Sequence, residues 1–190
     1  MNTPRFLHFL DTMDALVTRT PDEPTLLNEG ESALKSLIDH DDWLPPEYAE
    51  PDAERYQSYA LYIDPKARYS VISFVWAPGQ GTPVHNHTVW GLVGVLRGAE
   101  LCEEFPGPGI GLMKSTHEHT LARGEVDRVS PTIGDWHKVS NAVAGETSVS
   151  IHVYGADIGR VHRHFWDAAK HMPHPMVSGY SNSTPWISAR

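Results

Sequence analysis

The chain has 190 residues and a formal net charge of −9, enough length for one domain with a substantial core. That charge, without a basic stripe, argues against a nucleic-acid backbone as partner. Cys102 is the one cysteine, which rules out an intrachain disulfide and a cysteine-rich zinc site and suits a reducing cytoplasm.

The amino terminus, MNTPRFLHFLD, lacks the basic and apolar regions of a signal peptide. Phe6, Phe9, Leu10, Met13, Leu16 and Val17 recur at three- and four-residue spacing and predict a helix over 3–18. The same pattern predicts a second helix over 24–38, and Pro45 and Pro46 then break it. From Tyr56 the pattern turns to β. Strands are predicted over 56–63, 69–76, 84–90, 93–97, 99–105, 112–121, 127–129, 137–141 and 148–154, with Gly and Pro clusters between them. The longest apolar run, 71–77, is too short to span a membrane. Many short strands with turn signals predict a mainly β fold, a barrel or sandwich of the jelly-roll kind. The expected layout is one domain over 1–190: a helical segment over 1–50, a barrel over 56–167 and an irregular tail over 168–190.

Twelve histidines are the compositional oddity and ask for a metal explanation. His85 and His87, one residue apart, share a face if they lie on a strand. Gly79, Gly81 and Pro83 lead into them as turn formers. A Pro/Gly turn also delivers His137, the candidate third ligand. Three neutral imidazoles would leave a divalent ion its full charge and three adjacent open positions. Imidazole suits iron, zinc, copper and nickel alike, whereas a zinc hydrolase needs a single opening. Open positions on one face suit a chelating anionic substrate together with dioxygen. Downstream, alternation puts Ser150, His152 and Tyr154 on one strand face, where they can form a hydrogen-bonded row ending in a phenol. His117 and His119 repeat the leading spacing without its glycine approach and read as exposed. His162, His164, His171 and His174 read as surface or packing residues. Cys102 reads as a buried small hydrophobe, and Trp90 as either a pocket wall or core.

Gly79, His85, His87 and Gly98 match the first cupin motif in spacing, and Gly124, Pro131, Gly134, His137 and Asn141 resemble the second. The glutamate ligand usual in the first motif is replaced by Gly91. With the Ser150, His152 and Tyr154 row, the chain resembles the cysteine dioxygenase family of thiol dioxygenases from about Tyr56 to Asp167. The resemblance implies a cupin jelly-roll barrel and an Fe(II) site held by His85, His87 and His137. It also implies the catalytic trio Ser150, His152 and Tyr154. Animal members carry a cysteine at the position of Gly91, cross-linked to the tyrosine, so Tyr154 is expected to be unmodified. They also hold the substrate carboxylate with an arginine early in the barrel. An ungapped count puts Tyr59 there instead, beside Gln57. The chain is closer to the bacterial branch with an early glutamine, here Gln57, and an arginine after the tyrosine, here Arg163. Members of that branch commonly prefer 3-mercaptopropionate to cysteine.

The implied reaction adds both atoms of dioxygen to the thiol of a small mercapto-carboxylate, giving a sulfinate. The expected partners are thus that substrate and dioxygen, with no nucleic acid and no membrane; oligomeric state is left open. Two other readings stand behind this one. One is a different metal-dependent cupin enzyme, such as an isomerase; the other is a non-catalytic cupin that binds a ligand.

Overall fold

The computed structural model describes residues 3–108 and 114–188. Two helices, α1 (Thr3–Thr18) and α2 (Glu23–Ile38), precede ten strands. Asp22 caps α2 by accepting from the Thr25 N–H at 2.8 Å, and Pro24 sits in the first turn where its missing N–H costs nothing. The strands are β1 (Gln57–Ile63), β2 (Ser70–Trp76), β3 (Gly91–Arg97), β4 (Ala99–Phe105) and β5 (His117–Ala122). They continue with β6 (Val126–Val129), β7 (Trp136–Asn141), β8 (Ser148–Tyr154), β9 (Arg163–Asp167) and β10 (Met172–Met176). The first sheet runs β1-β2-β8-β3-β6, the second β5-β4-β7, and β9 pairs with β10; every strand pairing is antiparallel. The result is a mainly β jelly roll with an N-terminal helical segment. Among the described residues no helix is long and apolar enough to cross a membrane.

The larger sheet is buried on both faces, and this positions the site. Val149, Ile151 and Val153 of β8 join Leu92, Leu96, Val71 and Val75 in one core with the inner faces of α1 and α2. With alternation, Ser150, His152 and Tyr154 must then point the other way, into the barrel. Apolar burial against the helices fixes this register, since a one-residue slip would exchange the two faces. Gly98, at φ 74°, makes the one-residue link between β3 and β4.

Three expectations need correction. The predicted strand over 84–90 is not a regular strand. Its backbone makes isolated bridges, His85 with both His137 and Phe165, and Thr88 takes a left-handed φ of 62°. The predicted strand over 112–121 begins at His117, and residues 109–113 lie outside the described residues. The predicted irregular tail over 168–190 instead contributes β10, which pairs with β9 despite Pro173 and Pro175, because an edge strand tolerates residues without an N–H. Farther on, Trp186 stacks on Phe6 with ring centroids 4.9 Å apart, and Ile187 bridges to Tyr62.

Candidate metal centre

His85 and His87 lie in the irregular connection between β2 and β3, while His137 lies on β7. Mutual backbone bonds lock the two segments together: His85 N–H donates to the His137 carbonyl at 2.9 Å, and His137 N–H donates back at 3.0 Å. The three imidazole centroids form a nearly equilateral triangle, 4.8–4.9 Å on a side. In each ring Nδ1 already has a neighbour. For His85 it is the Pro83 carbonyl at 3.1 Å, for His87 the Asp135 carboxylate at 3.0 Å, and for His137 the Cys102 Sγ at 3.7 Å. That leaves Nε2 of each ring free to face the others, and one ligand atom from each lies within 4.8 Å of the rest.

His87 is 0 % exposed and its Nε2 has no hydrogen-bond partner among the described residues. An orphaned buried nitrogen is costly, and a metal ion at the centre of the triangle would satisfy it. The donor set therefore fits a divalent transition metal. Burial holds His85 and His87 well below the usual imidazole range, and pushes His137 down to about 4. All three are then neutral at physiological pH, the form that ligates.

Asp135 was not anticipated from the sequence. Besides facing His87 Nδ1, it accepts the His87 and Thr88 backbone N–H groups at 2.8 and 2.9 Å, which turns the chain through the left-handed Thr88. The available signal was an aspartate between Gly134 and Trp136, two residues before a candidate ligand.

The predicted row on β8 assembles. Ser150 Oγ lies 2.8 Å from His152 Nε2, and His152 Nδ1 lies 2.8 Å from the Tyr154 hydroxyl. The Trp76 indole N–H adds a donor to Ser150 Oγ at 3.3 Å. Tyr154 stacks on His87, ring centroids 5.1 Å apart and planes 20° from parallel. Burial raises the phenol above its ordinary range, with Arg163 opposing, so it keeps its proton. Gly91 is what lets the ring lie there: a Cβ would come within 2.8 Å of Tyr154 Cδ1 and 2.9 Å of Val129 Cγ2.

A small cavity of about 60 Å³ opens beside His85, His137, His152 and Tyr154. Arg163, 6 % exposed, forms part of its wall. Its Nη2 donates to Ser178 Oγ at 2.8 Å, its Nε is buried without a partner, and it makes no ion pair among the described residues. Gln57 does not join this group. Tyr56 and Ser58 face the cavity, whereas Gln57 between them donates its amide to the Arg55 carbonyl at 3.1 Å. The alternation of an extended strand turns it away. Trp90 is likewise absent from the cavity and packs on the core beneath the helices.

Among the remaining histidines, His117, His162, His171 and His174 are exposed, and His119 is half-buried with Nε2 3.1 Å from Asp127. Cys102 is buried as expected, but its thiol lies against His137, which the sequence did not signal.

A family model described as cysteine dioxygenase type I matches residues 31–166. Among solved structures, the fold is similar to a double-stranded β-helix protein from Klebsiella pneumoniae, at 17% identity over 62% of this chain and 87% of that one, with a TM-score of 0.48. It is also similar to a cupin superfamily protein from Desulfitobacterium hafniense, at 15% identity over 62% of this chain and 94% of that one, with a TM-score of 0.46.

Proposed function

The chain belongs to the cysteine dioxygenase type I family, and we propose that it is an Fe(II) thiol dioxygenase converting a small mercapto-carboxylate to its sulfinate. His85, His87 and His137 would hold the iron, and 3-mercaptopropionate is the favoured substrate, cysteine the next. The observation that carries this reading is Arg163: a buried guanidinium without a carboxylate partner among the described residues, in the wall of the cavity that His85 and His137 of the triangle also line. A buried cation in that state is a ready site for a substrate carboxylate, and its planar fork fixes orientation as well as charge.

Iron bound at the triangle would supply a site for the substrate thiolate and the redox chemistry that dioxygen requires. The chain's own groups do the rest. Arg163 and Ser178 anchor the carboxylate end. The size of the cavity limits the substrate to a short one. Phe74 covers His152 with ring centroids 4.2 Å apart, and with Tyr56 and Ile72 it keeps the walls apolar and sheds water. Tyr154, braced by His152 and Ser150, offers a phenolic proton to whatever oxygen develops charge in the cavity. No carboxylate lines the cavity among the described residues, so the ammonium group of cysteine would meet no partner there. That favours 3-mercaptopropionate.

The test is anaerobic addition of a thiol to iron-loaded protein followed by air, with oxygen uptake and product measured. Sulfinate should form fastest from 3-mercaptopropionate. Absence of sulfinate from 3-mercaptopropionate, cysteine, cysteamine and mercaptosuccinate alike would overturn the reading. Protein that arrives filled with zinc or nickel and stays inactive with added iron would do the same.

A further inference from the structure

Glu100, on β4, lies wholly inside the barrel at 0 % exposure, and neither carboxyl oxygen has a hydrogen-bond partner of normal geometry among the described residues. The neighbours that favour its ionised form are the Ser150 hydroxyl and the Trp76 indole. These two are engaged with each other, at 3.3 Å. The carboxyl therefore stands at the inner end of the row that leads through His152 to Tyr154. A bare carboxylate here would be expensive, whereas a protonated carboxyl could donate to Ser150. Burial indeed pushes Glu100 up to about 7.

The row can be satisfied in two directions. With Glu100 protonated, its O–H donates to Ser150 Oγ and the Ser150 hydroxyl donates to His152 Nε2. The imidazole then carries its proton on Nδ1 and donates to the Tyr154 oxygen, which frees the phenolic hydrogen for the cavity. With Glu100 ionised, the Ser150 hydroxyl turns to the carboxylate. His152 now donates from Nε2 to Ser150, and the Tyr154 hydroxyl is drawn back onto Nδ1. Trp76 can donate to Ser150 in both cases, so the protonation of Glu100 selects between them.

We propose that Glu100 is a positioning residue that sets the direction of the Ser150, His152 and Tyr154 hydrogen-bond row, and so turns the Tyr154 hydroxyl toward or away from the cavity. Its use in turnover rests on the thiol dioxygenase reading; the direction of the row does not. The titratable groups that feel Glu100 are Tyr154 on β8 and Cys102 on its own strand. Its register partners, Leu121 on β5 and Asn141 on β7, are uncharged, and β2 faces it with Trp76.

The first readout needs no turnover. Infrared difference spectra between the iron-loaded wild type and Glu100→Gln should show the carbonyl band of a protonated carboxyl at about pH 6 that is lost by about pH 8. The second is kcat with the best thiol, which should fall about tenfold over that interval in the wild type, with KM unchanged. The step should vanish in Glu100→Gln. It should vanish as well in Ser150→Ala, which keeps the carboxyl, and its infrared band, but cuts the link. Absence of the band, or the same alkaline fall in the wild type and Ser150→Ala, would overturn the proposal. A band without sulfinate from any thiol would support Glu100 as the protonated end of the row while overturning the thiol dioxygenase reading.

Discussion

Asp135 grips His87 at two atoms: one carboxylate oxygen faces both the backbone N–H at 2.8 Å and the ring Nδ1 at 3.0 Å. The contact fixes which ring nitrogen is left for a metal and prevents the imidazole from rotating. Partners of this kind tune metal affinity by roughly 10–100-fold. Asp135→Ala should therefore weaken iron and zinc binding by about that factor in a competition titration with a chelator. Unchanged affinity in a folded variant would remove Asp135 from this role.

Arg163→Ala should raise KM for 3-mercaptopropionate by about 10–100-fold, the value of a charge-assisted hydrogen-bond pair. Cysteamine, which has no carboxylate, should be affected little if it is turned over at all. Arg163→Lys should fall between, because an ammonium keeps the charge and loses the fork. Equal effects on both substrates would show that Arg163 does not read the carboxylate.

Tyr154→Phe keeps the ring that stacks on His87 and removes the hydroxyl 2.8 Å from His152. Iron content should be retained and kcat should drop by about tenfold or more. Loss of iron would contradict a role outside the ligand set.

Gly91→Ala places a methyl group 2.8 Å from the edge of the Tyr154 ring, inside a packed barrel. Overpacking of this kind costs about 1–3 kcal/mol. The melting temperature and kcat should fall together, because the ring that must move is the one carrying the hydroxyl. A variant with a lower melting temperature and unaltered turnover would show that the strain is relieved through Val129 instead.

The three buried histidines of the triangle, with His152 likewise held low by burial, also make metal-free protein acid-sensitive. Their folded values lie below the unfolded value of 6.5, with His137 at about 4. The unfolded chain therefore binds protons first as pH drops. Stability is fully present above about 6.5 and is lost progressively toward about 4. Thermal melts of chelated protein at intervals through that window should show a falling midpoint. Bound metal should delay the loss, since protons must then displace it.

Much of the site was legible in the chain because its signals are local. The His85, Asn86, His87 spacing, the turn before His137 and the alternation over β8 each lie within a few residues. They needed only the period of an extended chain. Two local readings failed for the same reason. Local spacing predicts a strand for the ligand pair and a substrate-facing Gln57. Val84, His85 and Asn86 instead bond one at a time to β7 and β9, and β1 turns Gln57 away from the cavity. Backbone partners from distant segments decided both.

By itself the sequence determined the jelly-roll class, the histidine triad, the Ser150, His152 and Tyr154 row, and an arginine placed to follow them. Strand periodicity, turn chemistry and family motifs are written along the chain. Only the tertiary structure decided that Asp135 and Cys102 stand behind the ligand rings and that Gly91 makes room for Tyr154. Each of these is a meeting of segments distant in the chain, 35 residues apart for Cys102 and His137 and 48 for His87 and Asp135. Such meetings depend on register and on which face the helices cover, and these emerge only when the sheets close on one another.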